Sequence, residues 1–88
     1  MEIEMQELDS SFIVSAGYTP EDQRMYVEFI SGSIFVYENI MESLFQNFIT
    51  SESHGKFFNA LIRQAYEGVR VSSKDKRQFV RKASQAVT

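Results

Sequence analysis

The sequence predicts an α+β fold: a three-stranded antiparallel meander followed by two helices packed on one sheet face, with a basic helical extension at the C-terminus. Three features of its 88 residues carry that expectation. Between Phe12 and Glu38, branched and aromatic residues alternate with polar ones and are punctuated by short turn sequences, the period of half-buried strands. After Asn39 the apolar spacing lengthens to three and four residues, the period of an amphipathic helix. From Arg63 onward the charge reverses sign and sets the end of the chain apart from its body.

Each element has its own local reason. "FIVSAGY" (Phe12–Tyr18) reads as a strand by its branched and aromatic content. "TPEDQ" is a turn, with Pro20 presetting the backbone angle at the second position. In Arg24–Ile30, Met25, Val27 and Phe29 alternate onto one face, and "SGS" around Gly32 turns the chain into the returning strand "IFVYE". Asn39, with Glu42 three residues later, resembles a capping box. Behind it Ile40, Met41, Leu44, Phe45, Phe48 and Ile49 occupy about half the circumference of a helix. Thr50–Ser53 interrupts, and Ser51 or Ser53 caps a second helix whose apolar face is Phe57, Phe58, Leu61, Ile62, Ala65 and Tyr66, ended by Gly68. "VRV" (69–71) is a short strand or an extended arm. Ser72 or Ser73 then opens a third helix with Phe79, Val80, Ala83, Ala86 and Val87 on one side. The chain thus divides into an acidic lead (1–9), a domain (10–71) and a basic amphipathic extension (72–88).

The net charge of −3 hides an asymmetry. Residues 1–62 hold ten carboxylates against Arg24 and Lys56, whereas residues 63–88 hold seven cations against Glu67 and Asp75. Such a tail suits nucleic acid or an acidic partner, or docks on the acidic body. No cysteine is present, which excludes disulfides, a thiol nucleophile and a Cys-based zinc site. The acidic start "MEIEMQELDSSF" is unlike a signal peptide, and no apolar run approaches the ~20 residues of a membrane span, so a soluble cytoplasmic protein is expected. With Met25, Val27, Phe29, Phe35 and Tyr37 turned to the helices, Tyr26, Ile30, Ile34 and Val36 face away. Either the tail or another subunit must cover them, and a homo-oligomer is expected.

A family resemblance runs through these same residues. Ser10-Ser11, Gly17-Tyr18, the strand Met25–Phe29, Ser31-Gly32, Phe35-Val36-Tyr37, "SHGKFFN" (Ser53–Asn59) and Ile62-Arg63 occur in the order seen in the KTSC domain. This short bacterial and phage-encoded module also occurs at the C-terminus of some lysyl-tRNA synthetases. Phe35 departs from the pattern, standing where the family has the first tyrosine of a Tyr-x-Tyr pair, and the last ~18 residues extend beyond the usual domain. The resemblance implies a fold and a domain of unassigned activity, with RNA suggested by the synthetase context.

The candidate binding residues cluster at the start of the second helix. Free amide groups there attract anions, Gly55 permits close approach, and Lys56 adds charge. Lys56, Asn59 and Arg63, at i, i+3 and i+7, line one edge of the helix. His54 flanks them, Tyr37 offers a ring for stacking, and Arg70 begins the basic tail. His54 lacks a ligand spacing toward Glu38, Glu42 or Glu52, and Ser10, Ser11 and Asp9 lack a nucleophile elbow, so neither a metal site, a cofactor nor catalysis is expected. The leading expectation is a non-enzymatic module binding RNA or another phosphate-bearing ligand. The alternatives are a protein–protein or phage-type inhibitor module, for which the acidic body argues, and an oligomer sequestering a small nucleotide.

Overall fold

The computed structural model describes residues 3–72 and 79–81, with Val80 and Arg81 as backbone alone. Strands β1 (Ile3–Glu7), β2 (Ile13–Thr19), β3 (Arg24–Phe29) and β4 (Ile34–Tyr37) precede helices α1 (Glu42–Ile49) and α2 (His54–Phe57). The backbone of α2 continues as a π-helical segment, Phe58–Arg63, and two short strands follow, β5 (Val69–Arg70) and β6 (Phe79–Arg81). One sheet holds all six strands in the order β5-β4-β3-β2-β1-β6. Neighbours from β5 to β1 are antiparallel, and β6 joins β1 in parallel, Ile3 opposite Phe79. The architecture is α+β.

The pleat of β3 divides two cores. On the helix side Met25 and Val27 join Ile13, Tyr37, Phe45, Phe48, Phe58 and Ile62, all buried, with Phe29 and Phe35 packed beside them. This is the inward set that the alternation predicts. On the other side Tyr26 and Ile34 are buried with Ile3 and Met5, and Val36, Val71 and Phe79 pack around them. Val71 follows β5 at one end of the sheet and Phe79 lies in β6 at the other. Their meeting on one cluster requires a strongly curled sheet.

The expected elements change in four places. The meander is extended: the acidic lead contributes β1, which pairs with β2. Its alternating Ile3 and Met5 supply the apolar face that four neighbouring acidic and amide residues mask in the composition. Phe79, expected in a third helix, lies in a strand, where β1 supplies a backbone ladder and Tyr26 an edge-to-face ring at 5.2 Å. The remainder of that expected helix lies outside the described residues. The face of Tyr26, Ile34 and Val36 is thereby covered by the chain itself, which removes the ground on which a homo-oligomer was expected; Ile30 alone of that set is largely exposed. Asn39 is no helix cap. It sits in the left-handed region at φ 65°, and α1 starts after Met41 without a side-chain cap. Asn39 instead turns the chain so that the Ile40 amide donates to the Gln23 carbonyl at 3.0 Å. Finally, the second helix ends at Arg63, short of Gly68.

Candidate ligand pocket

The cations at the start of α2 have a structural setting. Ser53 is the N-cap: its Oγ accepts from the Lys56 amide at 3.4 Å, and its carbonyl accepts from the Phe57 amide at 3.0 Å. Ser53→Ala is expected to cost about 0.5–2 kcal/mol in urea unfolding, the range for loss of a side-chain cap. His54 Nε2 lies 3.0 Å from the Ile49 carbonyl oxygen. That oxygen can only accept, so Nε2 carries the proton and satisfies a carbonyl at the end of α1. The ring also stands edge-on to Phe48, at 5.6 Å between centroids. His54 therefore ties the two helices together. The space beside Gly55 is filled: a Cβ there would meet the Phe12 ring at 2.7 Å. Lys56 is exposed, with no ion pair among the described residues.

The backbone then widens, and the side-chain phase changes with it. A π turn bonds i to i+5 and carries more residues per turn than an α-helix, so Lys56, Asn59 and Arg63 no longer share one line. Phe58 and Ile62 enter the core, the Asn59 amide oxygen is buried without a hydrogen-bond partner among the described residues, and Arg63 lays its guanidinium 5.5 Å from the centre of the Phe58 ring.

Arg63 lines a cavity of about 370 Å³ at the β4–β5 edge of the sheet. Phe29, Phe35 and Tyr66 form its apolar walls, and Ser31 and Ser33 of the β3–β4 hairpin form one rim. Tyr37 and Gly68 close the floor, the ring so near Gly68 that a Cβ would lie 2.6 Å from it. Tyr37 is 5% exposed as a whole residue, and its hydroxyl, which makes no hydrogen bond to the described residues, borders the cavity. Burial pushes its pKa above the usual tyrosine value, with the Arg63 cation pulling the other way, so at neutral pH the phenol is an uncharged donor. Arg63 is the single charged residue in the lining. Arg70 pairs with Phe35 across β4 and β5, which places it on the same sheet face beside the wall.

The structure thus brings Tyr37 and Arg63 together, sets Arg70 next to them, and leaves His54, Gly55 and Lys56 at the other end of the helical segment. Ser31, Ser33 and Tyr66 carry no site signal in the sequence. The hairpin serines read there as turn formers and Tyr66 as core, and only the π turn fixes which of them Arg63 joins. A second cavity of about 210 Å³ lies between β1, β2 and α1. Glu4 and Glu42 line it, and the Tyr18 hydroxyl is engaged, donating to the Ile40 carbonyl at 2.5 Å. Its charge is wrong for an anion. Among the described residues, no group of acidic and histidine side chains is arranged to hold a metal, and no helix is long and apolar enough to cross a membrane.

Comparison with known proteins agrees with the α+β fold. A protein of Tsukamurella paurometabola is 31% identical over 65 residues, which cover 74% of this chain and 97% of that one. An uncharacterized protein of Stutzerimonas stutzeri is 38% identical over 56 residues, 64% of this chain and 79% of that one. The crystal structure of a KTSC domain protein from Yersinia pestis superposes with a TM-score of 0.76 at 27% identity, covering 80% of this chain and 99% of the other. The KTSC domain model itself matches residues 9–66, from just before β2 through the wall residue Tyr66. On that match the chain belongs to the KTSC domain family.

Proposed function

We propose that this KTSC domain is a non-enzymatic binding module that holds a phosphate-bearing ligand, RNA foremost, in the pocket at the β4–β5 edge. One observation carries the reading. In a chain of net charge −3, the lining of the cavity among the described residues contains a cation, a phenol and aromatic walls, and no carboxylate. Such a lining suits a planar base against the rings and an anionic oxygen on the guanidinium. Tyr37, a neutral donor on the cavity lining, offers a hydrogen bond to an acceptor that enters. Arg63 and Tyr37 of the helix-start reading are kept as ligand contacts, joined by Arg70 at the rim, and the amide end of α2 is not needed.

The test is fluorescence anisotropy with a labelled single-stranded oligoribonucleotide at low salt. Arg63→Ala is expected to weaken binding by about 1–3 kcal/mol, and Tyr37→Phe by about 1 kcal/mol, one neutral hydrogen bond, with an unchanged circular dichroism spectrum. Lys56→Ala, at the far end of the helix, changes affinity by less than ~0.5 kcal/mol. Equal affinity of the Arg63 variant and the parent refutes the site. Nuclease-resistant recovery of a stoichiometric protein instead of RNA favours the protein–protein alternative.

A further inference from the structure

We infer that the pocket accepts a single nucleotide unit, one base against the aromatic wall and one phosphate on Arg63, and does not track the length of a strand. This rests on the binding reading above and narrows it. At about 370 Å³ the cavity lies at the low end of the range for small-molecule sites, room for one base and its sugar phosphate. A strand-binding groove needs a row of cations spaced along it to follow the backbone. The described side chains provide no such row. Arg24 is held by Asp22 at 3.6 Å and Glu38 at 3.3 Å, and Lys56 stands at the opposite end of the helical segment. Among the described side chains, Arg63 and Arg70 are the cations beside the cavity.

Beyond the pocket, the body presents ten carboxylates in its first 62 residues, a field that repels a polyanion and tolerates one phosphate at a local cation. Tyr37 adds discrimination. Its hydroxyl makes no hydrogen bond to the described residues and lines the cavity, where it can donate to an acceptor on the ligand. Inorganic phosphate satisfies Arg63 and leaves the rings and the phenol unused. A phosphorylated nucleoside engages all three. The same chemistry is offered by a free mononucleotide and by the terminal nucleotide of a strand.

The experiment is competition against a labelled hexaribonucleotide, using the four nucleoside 5′-monophosphates, an unlabelled hexaribonucleotide with a 5′-phosphate, a circular oligoribonucleotide and inorganic phosphate. Wild type, Arg63→Ala and Tyr37→Phe are compared at 50–200 mM salt. At least one monophosphate is expected to bind within tenfold of the linear hexamer and more than tenfold better than inorganic phosphate. Its affinity falls at least fivefold in each variant. Two neutralised phosphates set the log–log salt slope for the hexamer at about −1.4. A linear hexamer that competes while the circular strand does not marks a strand end as an accepted ligand. Competition by monophosphates alone marks the free nucleotide. The inference is overturned if the hexamer binds more than tenfold tighter than every monophosphate, if the circle matches the linear strand, or if the slope is steeper than −3; Arg63-dependent RNA binding would then still stand. If no phosphate-bearing probe binds, both readings fall.

Discussion

Phe58→Ala is expected to lower the stability of the domain by about 3–5 kcal/mol, the cost of removing a buried phenylalanine ring. The side chain is fully buried and stands at the meeting point of both layers. Its ring centre lies 6.4 Å from Phe12, 5.5 Å from Phe29 and 5.6 Å from Tyr37, each in an edge-to-face arrangement, and Arg63 covers it at 5.5 Å. Through these rings Phe58 ties the π segment to β3 and β4. Truncation leaves a void that the rigid strands cannot close, and it removes the surface on which Arg63 rests. Domains of this size have a total stability of about 5–15 kcal/mol, so the variant loses a large share of it. Urea unfolding followed by far-UV circular dichroism reads the loss. Phe58→Leu keeps most of the volume and should fall by less than half as much. A Phe58→Ala midpoint within ~1 kcal/mol of the parent would show that the helical segment is not held through this ring.

The share of this fold that is legible in the sequence is the share decided by local period. β2 to β4 alternate with period two, and α1 places Phe45 and Phe48 on one side, so both were readable from a single chain segment. A serine cap, Ser51 or Ser53, is legible because the signal lies within three residues of the helix it closes, and the fold places it at Ser53. β1 and β6 are different in kind. Ile3–Glu7 becomes a strand because β2 offers it a ladder, and Phe79–Arg81 because β1 does in turn. No window of neighbouring residues contains that information. The site divides in the same way. Arg63 and Tyr37 were legible as residue types, a cation near a helix end and a phenol in a strand. Their convergence depends on the π turn, which shifts Arg63 out of line with Lys56, and on Gly68, whose missing Cβ leaves room for the Tyr37 ring. A bare glycine beside a lysine suggested an open notch at Gly55, but only the packed fold shows that Phe12 fills it.

Gly17→Val is expected to destabilise the domain by about 3 kcal/mol or slightly more, and to do so by detaching β1 while leaving the pocket in place. Gly17 lies in β2 opposite Tyr26, between β3 and β1. A Cβ at this position would stand 2.6 Å from the Glu4 carbonyl oxygen, 2.8 Å from the Met5 sulfur and 3.3 Å from an Ile3 methyl. Met5 can swing aside, but the carbonyl belongs to the backbone of the neighbouring strand, so relief requires β1 to move. Overpacking of a filled site costs roughly 1–3 kcal/mol, and the two methyls of valine push the value to the upper end. With β1 go Ile3 and Met5, and with them the parallel ladder that holds Phe79 over Tyr26. Tyr26 and Ile34 then lose their cover, and β2 becomes an open edge with an apolar face, a combination that promotes association. Hydrogen exchange should show lost protection in residues 3–7 with that of β3 and β4 retained, and light scattering should show a mass that rises with concentration. Arg63-dependent ligand affinity should hold, because the pocket is lined from β3, the β3–β4 hairpin, β4 and the segment Arg63–Gly68, none of which pairs with β1. Equal loss of protection across all strands would mean instead that the sheet unfolds as one unit, with β1 an integral part of its cooperative core.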